Sequence, residues 1–138
     1  MAEPTLYTVR SEAKGIDLAP RKVKIVSDLV RGRSVADALV ILEHTPRRSA
    51  RPIAKAIASA QANAVNNHGL DAKSLTISTL SVTAGARLKR FKPHMRGMAL
   101  PFQKKTSHIL VEVTGTEKPK KKPAAKADKP AAKKEEEK

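Results

Sequence analysis

The sequence predicts an α/β protein of the α+β kind: three helices packed on a small antiparallel sheet, a long extended β-hairpin, and a disordered C-terminal tail. Three observations carry this. Three apolar stripes at helical spacing fill residues 20 to 66, segments that alternate apolar and polar residues flank them, and the composition breaks sharply after Gly115. A chain of 138 residues has room for one domain. Residues 1–114 are assigned to it, with the hairpin at about 84–105, and residues 115–138 to the tail.

Taken in order, Thr5 to Arg10 alternates Leu6, Thr8 and Arg10 against Thr5, Tyr7 and Val9, a short strand. Pro20 then stands where a helix begins without losing a hydrogen bond, Val23, Val26, Leu29 and Val30 make one stripe, and Gly32 supplies a left-handed end. A helix over about 20–31 follows. Ser34 with Asp37 three residues on resembles a capping box, and Val35, Ala38, Leu39 and Leu42 make a second stripe up to about Glu43. The third and longest helix runs from about Ser49 to Asn66 on Ile53, Ile57, Ala60 and Ala64, with Ala56 and Val65 beside them and Gly69 after its polar end. Pro52 must lie in its first turn, because deeper in it costs about 3 kcal/mol; a start at Pro46 implies a kink. Val23, Val26, Leu39, Ile53 and Ile57 are expected in the core. Leu75-Thr76-Ile77 and Leu80-Ser81-Val82 alternate one residue out of phase, which places a bulge near Ser78-Thr79. His108 to Val113 alternates again, with Ile109, Val111 and Val113 inward.

Charge bounds the partner. With 28 Lys and Arg against 13 Asp and Glu the net charge is +15, and such a surface repels itself unless a polyanion neutralises it. Nine lysines against five acids give residues 115–138 a charge of +4, leaving +11 on the body. Without a large apolar residue, that stretch cannot bury a core. A solubilising or low-affinity electrostatic role suits it better than specific docking. The absence of cysteine excludes disulfides, thiolate zinc sites and thiol nucleophiles, and suits a reducing cytoplasm. Neither a signal peptide nor a membrane span is legible, so the chain is expected to be soluble and cytoplasmic, without membrane binding. Only Tyr7, Phe91 and Phe102 are aromatic, too few for base-stacking platforms, so recognition rests on charge and shape.

The charge is concentrated. No acid stands between Asp71 and Glu112, whereas Lys73, Arg87, Lys89, Arg90, Lys92, Arg96, Lys104 and Lys105 do. If strands ending near Thr83 and beginning near Lys105 pair antiparallel, the residues between them make two arms of roughly ten residues, reaching about 30 Å. So few packing residues cannot offset a backbone ordering cost of about 1–2 kcal/mol per residue, and the free hairpin is expected to need an external mould. A cleft in structured RNA supplies both charge and shape. Pro93 and Gly97 give a preset angle and a permissive backbone near the tip.

Five collinear segments carry a resemblance: Ala19-Pro20-Arg21-Lys22-Val23, Leu29 through Val35, Ala58 through Ala64, Leu88-Lys89-Arg90-Phe91-Lys92-Pro93, and Lys105 through Ile109. From about Tyr7 to Val113 the chain resembles the bacterial large-subunit ribosomal protein twenty-two family, the tail excepted. The resemblance implies a compact domain near the peptide exit, contact with 23S rRNA and neighbouring large-subunit proteins, help in subunit assembly, and a hairpin that lines the nascent-polypeptide tunnel. It implies no catalysis and no cofactor. Carried over by position, Arg87, Lys89, Arg90, Lys92 and Arg96 are hairpin rRNA contacts, and Arg21, Lys22, Arg47, Arg48, Lys104 and Lys105 are body contacts. Pro93, His94, Met95, Arg96, Gly97 and Met98 form the tunnel-facing tip. The sequence departs from the pattern at Ala19, where a capping serine is common, at His94 and Met98, where arginines are frequent, and at the apolar Leu100-Pro101-Phe102. Fewer phosphate contacts and more apolar contact are expected at the tip.

Other chemistry fares worse. His44, His68, His94 and His108 lack metal-ligand spacing, and no phosphate loop or nucleophile elbow occurs, so neither a metal nor an active site is expected. His44 and His68 suit helix C-termini. A DNA compactor is suggested by the Lys-Ala-Pro tail, but nothing in the body offers a base-reading recognition helix, so DNA is not the expected partner.

Overall fold

A computed structural model describes residues 7–117. The start of the first alternating segment at Thr5-Leu6, and the tail from Lys118 on, lie outside the described residues. The elements are β1 (Tyr7–Ile16), α1 (Pro20–Val30), α2 (Val35–His44), α3 (Ala50–His68), β2 (Thr76–Pro93) and β3 (Ala99–Gly115), with one 3-10 turn at Met95–Gly97. The three strands form one antiparallel sheet in the order β1-β3-β2, and the helices pack on it, as expected of the α+β class.

The helices form where their stripes require. In α1, Val23, Val26, Ser27 and Val30 are buried, while Leu29 is 48% exposed. At 100° per residue Leu29 points roughly 120° from Val23, and the place expected for it goes to Ser27, whose hydroxyl donates to Lys24 O at 2.8 Å. Gly32 has φ 73°, the left-handed ending expected there. Helix α2 starts on Ser34, whose Oγ accepts from the Asp37 amide at 3.2 Å and donates to the Asp37 carboxylate at 2.7 Å. Val35, Ala38 and Leu42 are buried; Leu39, expected in the core, is only half-buried at its edge. Helix α3 begins at Ala50, which puts Pro52 in the first turn without a kink, and ends at Gly69 with φ 63°. Its alanines bring the sheet and α2 close, so its buried face is Ala50, Ile53, Ala56, Ile57, Ala60 and Ala64.

Strand β1 is longer than its alternation predicts. Pairing with β3 runs from Tyr7↔Gly115 to Ala13↔Ile109, then shifts before Ile16↔Ser107. The polar Arg10, Glu12 and Lys14 face outward and only Val9 and Ser11 are buried, so the inner face of β1 lacks the large apolar residues by which a strand is read. At the shift Gly15, with φ 69°, donates its amide to His108 Nδ1 at 3.0 Å. The expected bulge in β2 is present: Ile77 pairs with Val113 and Thr79 with Glu112, leaving Ser78 extra, and both Ile77 and Leu80 reach the core. Ile109, Val111 and Val113 point inward as expected. β3 runs to Gly115 and a bridge joins Leu70 to Glu117, so backbone pairing reaches two residues past the change in composition.

A second shift, between Ala84↔Ser107 and Arg87↔Lys105, marks where the hairpin leaves the body. Beyond it the ladder continues to Pro93↔Ala99, although nothing lies beneath it. Its register is set by pairing between the two arms alone.

Candidate nucleic-acid interface

Pairing fixes what each hairpin face presents, because directly opposed residues share a face. On one face lie Arg87 with Lys105, Lys89 with Gln103, then Phe91 with Pro101. The other carries Leu88 with Lys104, Arg90 with Phe102, and Lys92 with Leu100. One face thus grades from cationic at the root to apolar near the tip, and the other alternates. Lys92 Nζ sits 4.9 Å from the centre of the Phe102 ring, a cation–π pair across the arms. At the tip His94 donates its amide to Met98 O at 2.7 Å, and Arg96 (φ 56°) and Gly97 (φ 73°) are both left-handed. Gly97 adopts that conformation freely, whereas Arg96 does so at some cost. Phe91, Met95 and Met98 are about 70% exposed, and Leu100 is more than half exposed, an apolar distal surface on a cationic stem.

The root joins residues that are far apart in sequence. Arg21, in the first turn of α1, shares a cleft of about 260 Å³ with Arg87 and Lys105, walled by Pro20, Ala84 and Gly85. Ala19 at the N-cap makes no side-chain hydrogen bond, so the first amides of α1 have no side-chain acceptor from it. Gly85 leaves room there: a Cβ would stand 2.5 Å from Thr106 Oγ1 and 3.1 Å from His108 Nε2, and the Thr106 hydroxyl donates to Ala86 O at 2.7 Å.

Arg47 and Arg48 are not at the root. They lie between α2 and α3 and line a separate cleft with Arg51, which sequence reasoning passed over although Arg47, Arg48 and Arg51 stand close in sequence. Lys104 differs from its neighbours. Its Nζ lies 2.8 Å from Asp17 Oδ2, so it is already paired within the protein, a relation across 87 positions that no local pattern signals. Arg31 is also structural: it donates to Leu80 O at 2.9 Å and pairs with Asp28 at 3.3 Å. Among the described residues, Arg21, Lys22, Arg47, Arg48, Arg87, Lys89, Arg90, Lys92, Arg96 and Lys105 have no carboxylate within 4.0 Å. No group of three or more potential metal ligands occurs among the described residues, and no described helix is long and apolar enough to cross a membrane.

The model of the family described as ribosomal protein L22p/L17e matches residues 11–114, from β1 through the hairpin to the end of β3. The chain belongs to that family. Proteins named large ribosomal subunit protein uL22 are similar to this L22-family chain over 114 residues, 83% of it and 97% of the relative in each case. Those of Lactobacillus helveticus and Lactobacillus gasseri are 46% identical, and that of Lactobacillus delbrueckii subsp. bulgaricus is 45% identical. An L22-family protein is a structural component of the cytoplasmic ribosome in bacteria, not a member of an enzyme class.

Proposed function

We propose that this L22-family chain is held in the large ribosomal subunit by 23S rRNA, supports subunit assembly, and lines the nascent-polypeptide tunnel with its hairpin. The observation that carries the reading is the hairpin itself: a paired ladder from Arg87↔Lys105 to Pro93↔Ala99, exposed throughout and stripped of acids. A protrusion of that shape stabilises nothing within the chain, and unpaired guanidinium and ammonium groups on both faces suit phosphates on both sides. Arg87, Lys89, Arg90 and Lys92 contact RNA along the arms, Arg21 and Lys105 at the root, and Lys22, Arg47 and Arg48 on the body. Lys104 contributes through its link to Asp17 more than as a free cation. The tip, Pro93 to Met98, meets the growing polypeptide and the tunnel wall, with Met95 and Met98 offering adaptable apolar contact. Neighbouring large-subunit proteins complete the set of partners.

Ultraviolet crosslinking of the tagged chain in its own cells, with sequencing of the bound nucleic acid and mass mapping of the protein, tests the reading. Dominant 23S rRNA attached at Arg87 to Arg96 is the expected result. Scattered DNA or mixed RNA attached mainly to residues 118–138 overturns it.

A further inference from the structure

We propose that the cleft between α2 and α3 holds a single unpaired guanine nucleotide of the bound RNA. This rests on the RNA-binding reading and names what one part of that surface takes. The cleft measures about 780 Å³, within the roughly 300–1,000 Å³ of sites that enclose small ligands. Three kinds of group in its lining matter here. Leu39 and Ala54, both half-buried, lie with the buried Leu42 as an apolar floor. Arg47, Arg48 and Arg51 line it as well, none with a carboxylate within 4.0 Å among the described residues. Glu43 lines it too, beside Thr45, Pro46 and Ala50, and forms no ion pair among the described residues although three guanidinium groups share its cleft.

A site for a bare anion has no use for the Glu43 carboxylate, and a groove for an apolar peptide has no use for three unpaired arginines. A nucleotide engages all three kinds of group. Its phosphate accepts hydrogen bonds from the arginines, its base covers the apolar floor, and a guanidinium plane takes the stacking role that aromatic rings play elsewhere. The carboxylate selects the base. Guanine offers two adjacent donors, N1–H and the N2 amino group, to the two oxygens of one carboxylate. Adenine and cytosine place a ring-nitrogen lone pair beside their amino groups, and uracil flanks its N3–H with two carbonyls, so each sets an acceptor against Glu43. Because those guanine donors are consumed in a base pair, the nucleotide must be unpaired.

The test uses the isotope-labelled full chain titrated with GMP, AMP, UMP and inorganic phosphate at low salt, read by methyl and amide chemical shifts. GMP is expected to shift the Leu39, Leu42 and Ala54 methyl groups and to bind at least about fivefold more tightly than AMP or UMP, the low end of discrimination by a bidentate base contact. Glu43→Gln removes that preference and keeps the phosphate response of the Arg47 to Arg51 amides; Glu43 is exposed, so the variant retains the fold, checked by unchanged shifts elsewhere. Equal binding of all four probes, or methyl groups that do not move, overturns the guanine site. Retention of 23S rRNA by the unaltered chain, measured in parallel, separates the two levels: normal retention with no guanine preference removes this site alone, and absent retention removes the RNA reading beneath it.

Discussion

Lys104 Nζ and Asp17 Oδ2 meet at 2.8 Å, which ties the root of the hairpin to the loop between β1 and α1. Both side chains are half exposed, so solvent screens the pair and its contribution to stability is small, about 0–1 kcal/mol. Its effect is on direction and charge: it holds β3 against the body and takes one cation out of the set free to meet phosphate. Asp17→Asn is expected to lower the unfolding free energy, read from urea titration, by no more than about 1 kcal/mol. It also releases Lys104 and steepens the salt dependence of 23S rRNA binding by up to about one unit of log–log slope. An unchanged slope indicates that releasing Lys104 adds no phosphate contact.

Neutralising Arg87, Lys89, Arg90 and Lys92 together to Gln removes four exposed cations that support no contact in the core. The expected result is a salt slope lower by about 0.7–0.9 for each RNA phosphate that is no longer neutralised, with stability changed by no more than about 0.5 kcal/mol per substitution apart from about 0.5–1 kcal/mol for the lost Lys92–Phe102 contact. Filter binding across a potassium series, beside a thermal melt, reads both.

Gly85→Ala forces a methyl group to 2.5 Å from Thr106 Oγ1 and displaces the bond from that hydroxyl to Ala86 O. The expected cost is about 1–3 kcal/mol, as for other overpacked sites. Adding Thr106→Ala relieves the overlap, so the double variant should be more stable than Gly85→Ala alone. Urea unfolding of the two variants decides it, and a double variant no better than the single one disproves the steric account.

Ala19 occupies an N-cap with extended backbone (φ −67°, ψ 136°) and makes no capping bond. Ala19→Ser is expected to stabilise the chain by about 0.5–2 kcal/mol by giving the first turn of α1 an acceptor. Differential scanning calorimetry should show a raised Tm; no rise indicates that those amides already have another partner.

Ile57 is completely buried between α3 and the rest of the core, and Ile57→Ala should cost about 2–5 kcal/mol with little change in the denaturant slope. A loss under about 1 kcal/mol in urea titration would place Ile57 in a part of the core able to collapse around the gap.

Much of this was legible in the chain because it is written locally. The helix starts at Pro20 and Ser34, the ends at Gly32 and Gly69, the first-turn place of Pro52 and the bulge at Ser78 each depend on residues within a few positions of one another. So does the acid-free stretch that marks the hairpin. What only the tertiary structure decided is set by residues distant in sequence. The length of β1 depends on the strand it pairs with, because beyond Val9 its own inner face offers only the small Ser11 and Ala13. Leu39 falls at the edge of the core and Leu29 outside it, because the neighbouring elements choose which arc of each helix is buried. Arg21 meets Arg87 and Lys105, Arg51 joins Arg47 and Arg48, and Lys104 turns to Asp17 only when the chain has closed. Local propensity and spacing determine which elements form and where charge accumulates; long-range packing determines which of those charges converge and which are already satisfied, since attraction acts through space and not along the chain.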